Sequence, residues 1–170
     1  ITRPASAQLL LPEIAKQRVD IMGIVGPGSP GLYEAGQIAA LKENLEYVMS
    51  SVPWPNFKNP RARQVAEEYV KRSGGKTFDT NSGYSYDGMF VLADVLERAK
   101  STDSDTVVDA LKKTRFTGGL MVYGGPILFN EIGDNPNAIP AMIEILGQKP
   151  VVVWPKDVAA EKLVFPRPKR

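Results

Sequence analysis

The chain is 170 residues long, 43% hydrophobic and 24% charged, with a formal net charge of +2. That is a globular composition with too little charge to argue for nucleic acid or a membrane surface as partner. It holds no histidine and no cysteine, which excludes Ser-His-Asp and Cys-His nucleophilic machinery and any ordinary zinc, haem or iron–sulfur site within it, and leaves the redox compartment open. No run approaches the length of a membrane helix, no signal peptide opens the chain, and the start at Ile1-Thr2-Arg3 reads as an interior point of a longer protein.

Ala5 to Gln17 has the apolar spacing of a helix, with Pro12 inside it as a kink or a late start. Val19 to Val25 is a short apolar run read as a buried strand. Gly26-Pro27-Gly28 breaks it, Ser29 is a good N-cap, Pro30 suits a first helical position, and a helix is predicted over Leu32 to Glu43. A strand–turn–helix of this kind aims backbone N–H groups and a helix dipole out of the carboxyl edge of a sheet, where open α/β sheets take ligands, anions above all. The same residues also suit an ordinary β–α turn whose glycines serve geometry alone.

Leu45 to Val52 is the next predicted strand. Pro53-Trp54-Pro55 after it is a stiff crossover, in which Trp54 either walls a pocket or packs the linker onto the core. Asn59-Pro60 starts a helix to Arg72, and Gly74-Gly75 follows it. Thr80-Asn81-Ser82 offers caps for a second helix, apolar nearly all round and so expected to be well buried. A third helix runs from Asp103 to Lys113, capped by Ser104 or Asp105. Leu120 to Tyr123 and Ile127 to Asn130 read as short strands around Gly124-Gly125-Pro126. The polar loop Ile132 to Asn137 lacks the spacing of a calcium-binding EF-hand loop. Ala141 to Leu146 and Val151 to Trp154 form a hairpin, Pro155 to Lys162 a short helix, and the cations Lys162, Arg167, Lys169 and Arg170 a solvated tail. No phosphate loop or dinucleotide fingerprint is present.

The order of these pieces resembles the C-terminal half of a type I periplasmic solute-binding protein of the branched-chain amino acid ABC transporter class. Four stretches carry the likeness. They are Val19 to Gly28 leading into a helix, the crossover after Val52 with the Asn59-Pro60 helix, Tyr84-Ser85-Tyr86-Asp87-Gly88 with Leu92 to Ala99, and Phe116 to Asp134 closing in Val151-Val152-Val153-Trp154-Pro155. The resemblance implies an α/β fold, a parallel-sheet-based three-layer arrangement, here an incomplete two-lobed fragment. Residues 1–52 would belong to lobe 2, 53–127 to lobe 1 after a crossover, and 128–170 to the return to lobe 2 and the tail. It implies ligand contacts from Pro27, Gly28 and Ser29, with Trp54 a weaker candidate, and neither a metal nor a cofactor. Two departures stand out. The family's first half is missing, and Lys42-Glu43-Asn44-Leu45 joins helix to strand almost directly.

The implied function is that of a non-catalytic, periplasmic solute-binding component of an ABC uptake transporter, whose signal peptide lies outside this segment. It would hold an amino acid or related small carboxylate by backbone N–H groups and the Ser29 hydroxyl, and close its lobes on it. The implied partners are ABC permease subunits and the missing N-terminal half or a second copy, with no nucleic acid. A ligand-sensing domain of a signalling or regulatory protein is the alternative on the same fold. An α/β enzyme of flavodoxin-like or phosphate-handling type is disfavoured by the lack of histidine, metal-ligand clusters and a phosphate loop.

Overall fold

The computed structural model describes residues 3–169. Ile1, Thr2 and Arg170 lie outside the described residues, and with them the reading of the opening residues and the last cation of the tail. The chain divides into two compact units, one of residues up to Val52 together with those from Pro140 on, the other Pro53–Ile139.

The first unit is built on a sheet of β1 (Ile24–Pro27), β2 (Val48–Val52), β3 (Ala141–Leu146) and β4 (Lys149–Trp154), in that spatial order. β1 and β2 are parallel, in register Ile24 to Val48 and Pro27 to Ser51. β3 and β4 add antiparallel strands, β3 entering at Val52 opposite Ala141. The sheet is therefore mixed, with its parallel pair at one edge. Val48, Val52, Ile143 and Ile145 are buried on it.

Two turns explain why the strands are shorter than the apolar runs that predict them. Arg18 closes α1 (Pro4–Lys16) in a left-handed conformation, φ 50°, and Val19 N–H donates back to Ile14 O at 3.1 Å. Tyr47, φ 64°, turns the chain immediately before β2, so Val19 to Gly23 have no parallel partner beside them and pairing starts at Ile24. α1 itself runs unbroken through Pro12, burying Ala7 and Leu11.

The β3–β4 hairpin turns on Gly147 (φ 57°) and Gln148 (φ 62°), the paired positive dihedrals that match the twist of the flanking strands. Glu46 accepts from both of their backbone N–H groups. Pro155 to Lys162 makes a single turn rather than a helix. Ala159 N–H donates to Pro155 O, but Ala160 N–H already donates to Val152 O of β4. The tail returns to the sheet, where Val164 N–H donates to Glu144 Oε2 at 2.9 Å and Arg167 N–H to Met22 O at 2.8 Å.

The second unit has three helices, α3 (Pro60–Arg72), α4 (Thr80–Ala99) and α5 (Ser104–Lys112). Their caps are aspartate and asparagine. Asn59 accepts from Arg61 N–H, Asp103 from Thr106 N–H, and Asp79 forms a full capping box with Ser82. The caps of α4 and α5 thus fall one residue or more before those expected. Among its described residues the unit has isolated bridges, Pro55 to Met121, Phe116 to Ile127 and Tyr123 to Ala138, instead of the short strands expected at Leu120 to Tyr123 and Ile127 to Asn130. The Asp87 carboxylate takes the Leu120 and Met121 N–H groups, so pairing there stays at the single Pro55–Met121 bridge made by Val122 N–H to Trp54 O and Asn56 N–H to Leu120 O.

The return from this unit also differs from the expected 127–128. Gly124 N–H donates to Asn137 O and Asn137 Nδ2 to Pro126 O, which ties the following loop to the second unit until Ile139. α4 departs from the expected burial as well. It buries Gly83, Asp87, Val91 and Val95, while Met89, Leu92 and Leu96 stay exposed.

Candidate functional site

Pro27, Gly28 and Ser29 lie where the sequence places them, at the carboxyl end of β1. Pro27 is in register with Ser51 of β2. Gly28 sits at φ 66°, a conformation that a side chain disfavours, and a Cβ there would stand 3.8 Å from Ser51 O. Ser29 is 1% exposed. Gly26, one turn earlier, has no room for a Cβ, since Leu32 Cδ1 and the Ser29 Cβ occupy that space. Ser50 Oγ donates to Gly26 O at 2.8 Å across the parallel pair, which fixes the strand end under the turn.

The helix expected after Ser29 is broken into pieces. A three-residue 3₁₀ turn, Pro30–Leu32, comes first, and its cap Ser29 makes no side-chain capping bond. The chain then extends through Glu34, and α2 (Ala35–Leu41) is only seven residues long, followed by a second 3₁₀ turn, Lys42–Leu45. The reason is packing against α1. A Cβ on Gly31 would come within 3.0 Å of Arg3 O and the Pro4 backbone, so the turn lies close on the start of α1, and the extended Glu34 (φ -65°, ψ 141°) separates it from α2. The macrodipole of a long helix therefore does not act at Ser29. Leu32 N–H donates to Ser29 O and Tyr33 N–H to Pro30 O, and Pro30 has no N–H. What the turn offers is a tight bend at a sheet edge, with Ser29 buried inside it.

Trp54 belongs to the second unit. It is 2% exposed, and its carbonyl accepts from Val122 N–H at 2.9 Å. Its indole has almost no surface to present, and its backbone anchors the crossover. Thr80 Oγ1 donates to Pro53 O at 2.6 Å, holding the same crossover from the start of α4.

Sequence reasoning missed the buried carboxylates. Asp87 accepts from Leu120 N–H, Met121 N–H and the Tyr123 hydroxyl, at 2.8 to 3.3 Å. Burial pushes its carboxyl above the ordinary range, these three donors pull it back, and the Tyr123 phenol is pushed well up by its own burial and by Asp87. The signal was present in the spacing, since Gly83, Asp87, Val91 and Val95 recur every fourth residue on one stripe. Glu144 is fully buried on β3, its Oε1 without a partner, and burial raises its carboxyl too. The Ile132 to Asn137 loop is self-satisfied at its start, where Asn130 Oδ1 accepts from Ile132 and Asp134 N–H groups. No cluster of possible metal ligands occurs among the described residues.

A cavity of about 390 Å³ opens in the first unit, lined by Leu11, Ile14, Arg18, Asn44 and Arg167 among others. It lies at the amino ends of β1 and β2, away from Ser29. Its wall includes the exposed ion pair Lys169–Asp20, 2.7 Å, so the tail cations are partly committed to the fold.

A family model described as "Periplasmic binding protein" matches residues 6–141, and the chain belongs to that family. The same fold appears in a leucine-binding protein from Thermotoga maritima, 22% identical, covering 88% of this chain and 41% of that one with a TM-score of 0.67. It appears in an ABC transporter substrate-binding protein from Desulfitobacterium hafniense in complex with Leu, 15% identical, covering 89% and 41%, TM-score 0.67. A branched-chain amino acid ABC transporter protein from Thermus thermophilus with bound valine is 13% identical, covering 88% and 42%, TM-score 0.64. The chain thus spans about two fifths of the length of these solved relatives. No curated protein sequence matches it.

Proposed function

We propose that this chain is part of a non-catalytic solute-binding component of an ABC uptake transporter, working outside the cytoplasmic membrane, with an amino acid or related small carboxylate as its solute. The observation that carries the reading is the family match over residues 6–141, joined to a fold shared with relatives solved with leucine and valine. No helix of the described residues is long and apolar enough to cross a membrane.

The turn Pro27-Gly28-Ser29 is the contact this chain contributes. The left-handed Gly28 brings backbone close to whatever occupies the carboxyl edge of the sheet, and Ser29, buried beneath the bend, holds its shape. Trp54 acts from the crossover by holding its shape. The deciding experiment is a thermal-shift screen of the longest polypeptide that the gene encodes, against aliphatic amino acids, aromatic amino acids and simple carboxylic acids. A ligand at 100 times its dissociation constant adds about 2.7 kcal/mol to the folded state. A clear upward shift with one class supports the reading, and a flat response to every class overturns it.

A further inference from the structure

The cavity at the amino ends of β1 and β2 is lined by residues of two kinds. Leu11 and Ile14 of α1, with Val19 and Ile21 from the segment leading into β1, make it apolar. Val19 is 48% exposed, so this wall meets water and gains by being covered. The rest of the described lining is cationic. Arg18, Arg167 and Lys169 bring three positive charges against the one carboxylate of Asp20, and Asp20 is already paired with Lys169 at 2.7 Å.

Arg18 stands out among them. α1 ends in a Schellman turn, in which Arg18 N–H donates to Ala15 O and Val19 N–H to Ile14 O, both at 3.1 Å. The closing position of such a turn is left-handed, here φ 50°, and glycine is its ordinary occupant because a side chain is strained there. An arginine holds it instead. Among the described residues its guanidinium makes no hydrogen bond or ion pair, so no polar contact offsets that strain. The turn also satisfies the Ile14 and Ala15 carbonyls, which blunts the negative end of α1 beside the cavity. Across from the helix segment, the tail is fixed by Arg167 N–H, which donates to Met22 O at 2.8 Å.

A volume of about 390 Å³ falls at the small end of the range for small-molecule sites. The lining suits a compact monoanion on an apolar body. It disfavours a free α-amino acid, since the one carboxylate that could hold an ammonium is taken by Lys169 and the remaining charges repel it. We infer that this cavity is a second ligand site, selective for a small amine-free carboxylate with an aliphatic or aromatic body, whose oxyanion pairs with Arg18. The site lies apart from the Pro27-Gly28-Ser29 turn, so this inference and the solute-binding reading can fail independently.

The test uses the longest polypeptide that the gene encodes, with octanoate as probe, octanamide as its uncharged match and L-leucine as a zwitterion. Octanoate is expected to slow hydrogen exchange in the peptide spanning Ile14 to Ile21, and octanamide and L-leucine to leave that peptide unchanged. Arg18→Gly separates binding from folding. Glycine suits the left-handed position, so the fold is kept, as circular dichroism checks. The octanoate dissociation constant, read by calorimetry, should rise about tenfold or more, the scale of one lost charge-assisted hydrogen bond. Equal protection of the peptide by octanamide or L-leucine overturns the inference. So does octanoate protection that is absent or confined to Gly26 to Tyr33, and so does an unchanged octanoate affinity in Arg18→Gly.

Discussion

The two units solve the same problem by different means. In the first, a four-stranded sheet carries the backbone hydrogen bonds, and two carboxylates act at its margins, partly buried Glu46 on the hairpin turn and buried Glu144 on the returning tail. In the second, the described residues form no ladder, and one carboxylate takes its place. Asp87 collects two backbone N–H groups and a phenol from the Leu120 to Tyr123 stretch. A ladder spreads its stability over many weak bonds, whereas a buried hub concentrates it in one side chain. The first unit should therefore tolerate single changes, and the second should depend on one.

The largest effect tests that contrast head on. Asp87→Asn keeps the shape but turns donors toward donors, leaving buried N–H groups unsatisfied at about 1–3 kcal/mol each. A loss of about 3 kcal/mol or more is expected in urea unfolding. Hydrogen exchange should show protection lost over Pro53–Ile139 first and kept longest in β3 and β4. Next comes Gly31→Ala in the first unit. The new methyl meets the Arg3 and Pro4 backbone at 3.0 Å, and rigid backbone cannot yield as a side-chain tip does. A cost of about 1–3 kcal/mol is expected, read as a lowered urea midpoint. Asp79→Ala removes the capping box of α4 and should cost about 1 kcal/mol, seen as a small drop in melting temperature with the fold unchanged.

The smallest effect is one of pH. Burial, more than the Val164 hydrogen bond or nearby Glu46, sets the direction for Glu144 and raises its carboxyl above the ordinary value of 4.5. The folded chain then holds that proton more tightly than the unfolded one, so the associated stability is full at low pH and declines as pH rises through the folded value. Glu144→Gln removes the titration. Its urea midpoint should gain on that of the unaltered chain between weakly acidic and neutral pH. A constant difference between the two proteins across that range would contradict the assignment.

Much of this architecture was legible in the sequence, and the limits have physical causes. α3 and the β3–β4 hairpin carry strong local signals, the Asn59-Pro60 start and the Gly147-Gln148 turn, and appear with nearly the bounds the pattern predicts. Val19 to Gly23 looks like strand because it is apolar, but pairing is a property of two segments, and Tyr47 decides it from elsewhere in the chain. The Leu32 to Glu43 helix failed for a similar reason, because its first turn is pressed onto α1 at Gly31, a tertiary contact that no local propensity encodes. The turn at Ser29 was read from its glycines and proline. The roles of Asp87 and Glu144 were not read, because a carboxylate in a helix or strand looks the same in sequence whether it faces water or a backbone N–H.

The most direct test of the account is hydrogen exchange on the longest gene product with and without L-leucine, the ligand in one solved relative. The account predicts slowed exchange in the peptide spanning Gly26 to Tyr33, at the carboxyl end of β1. Protection confined to the opposite end, around Arg18 and Arg167 of the 390 Å³ cavity, would contradict it and move the site there.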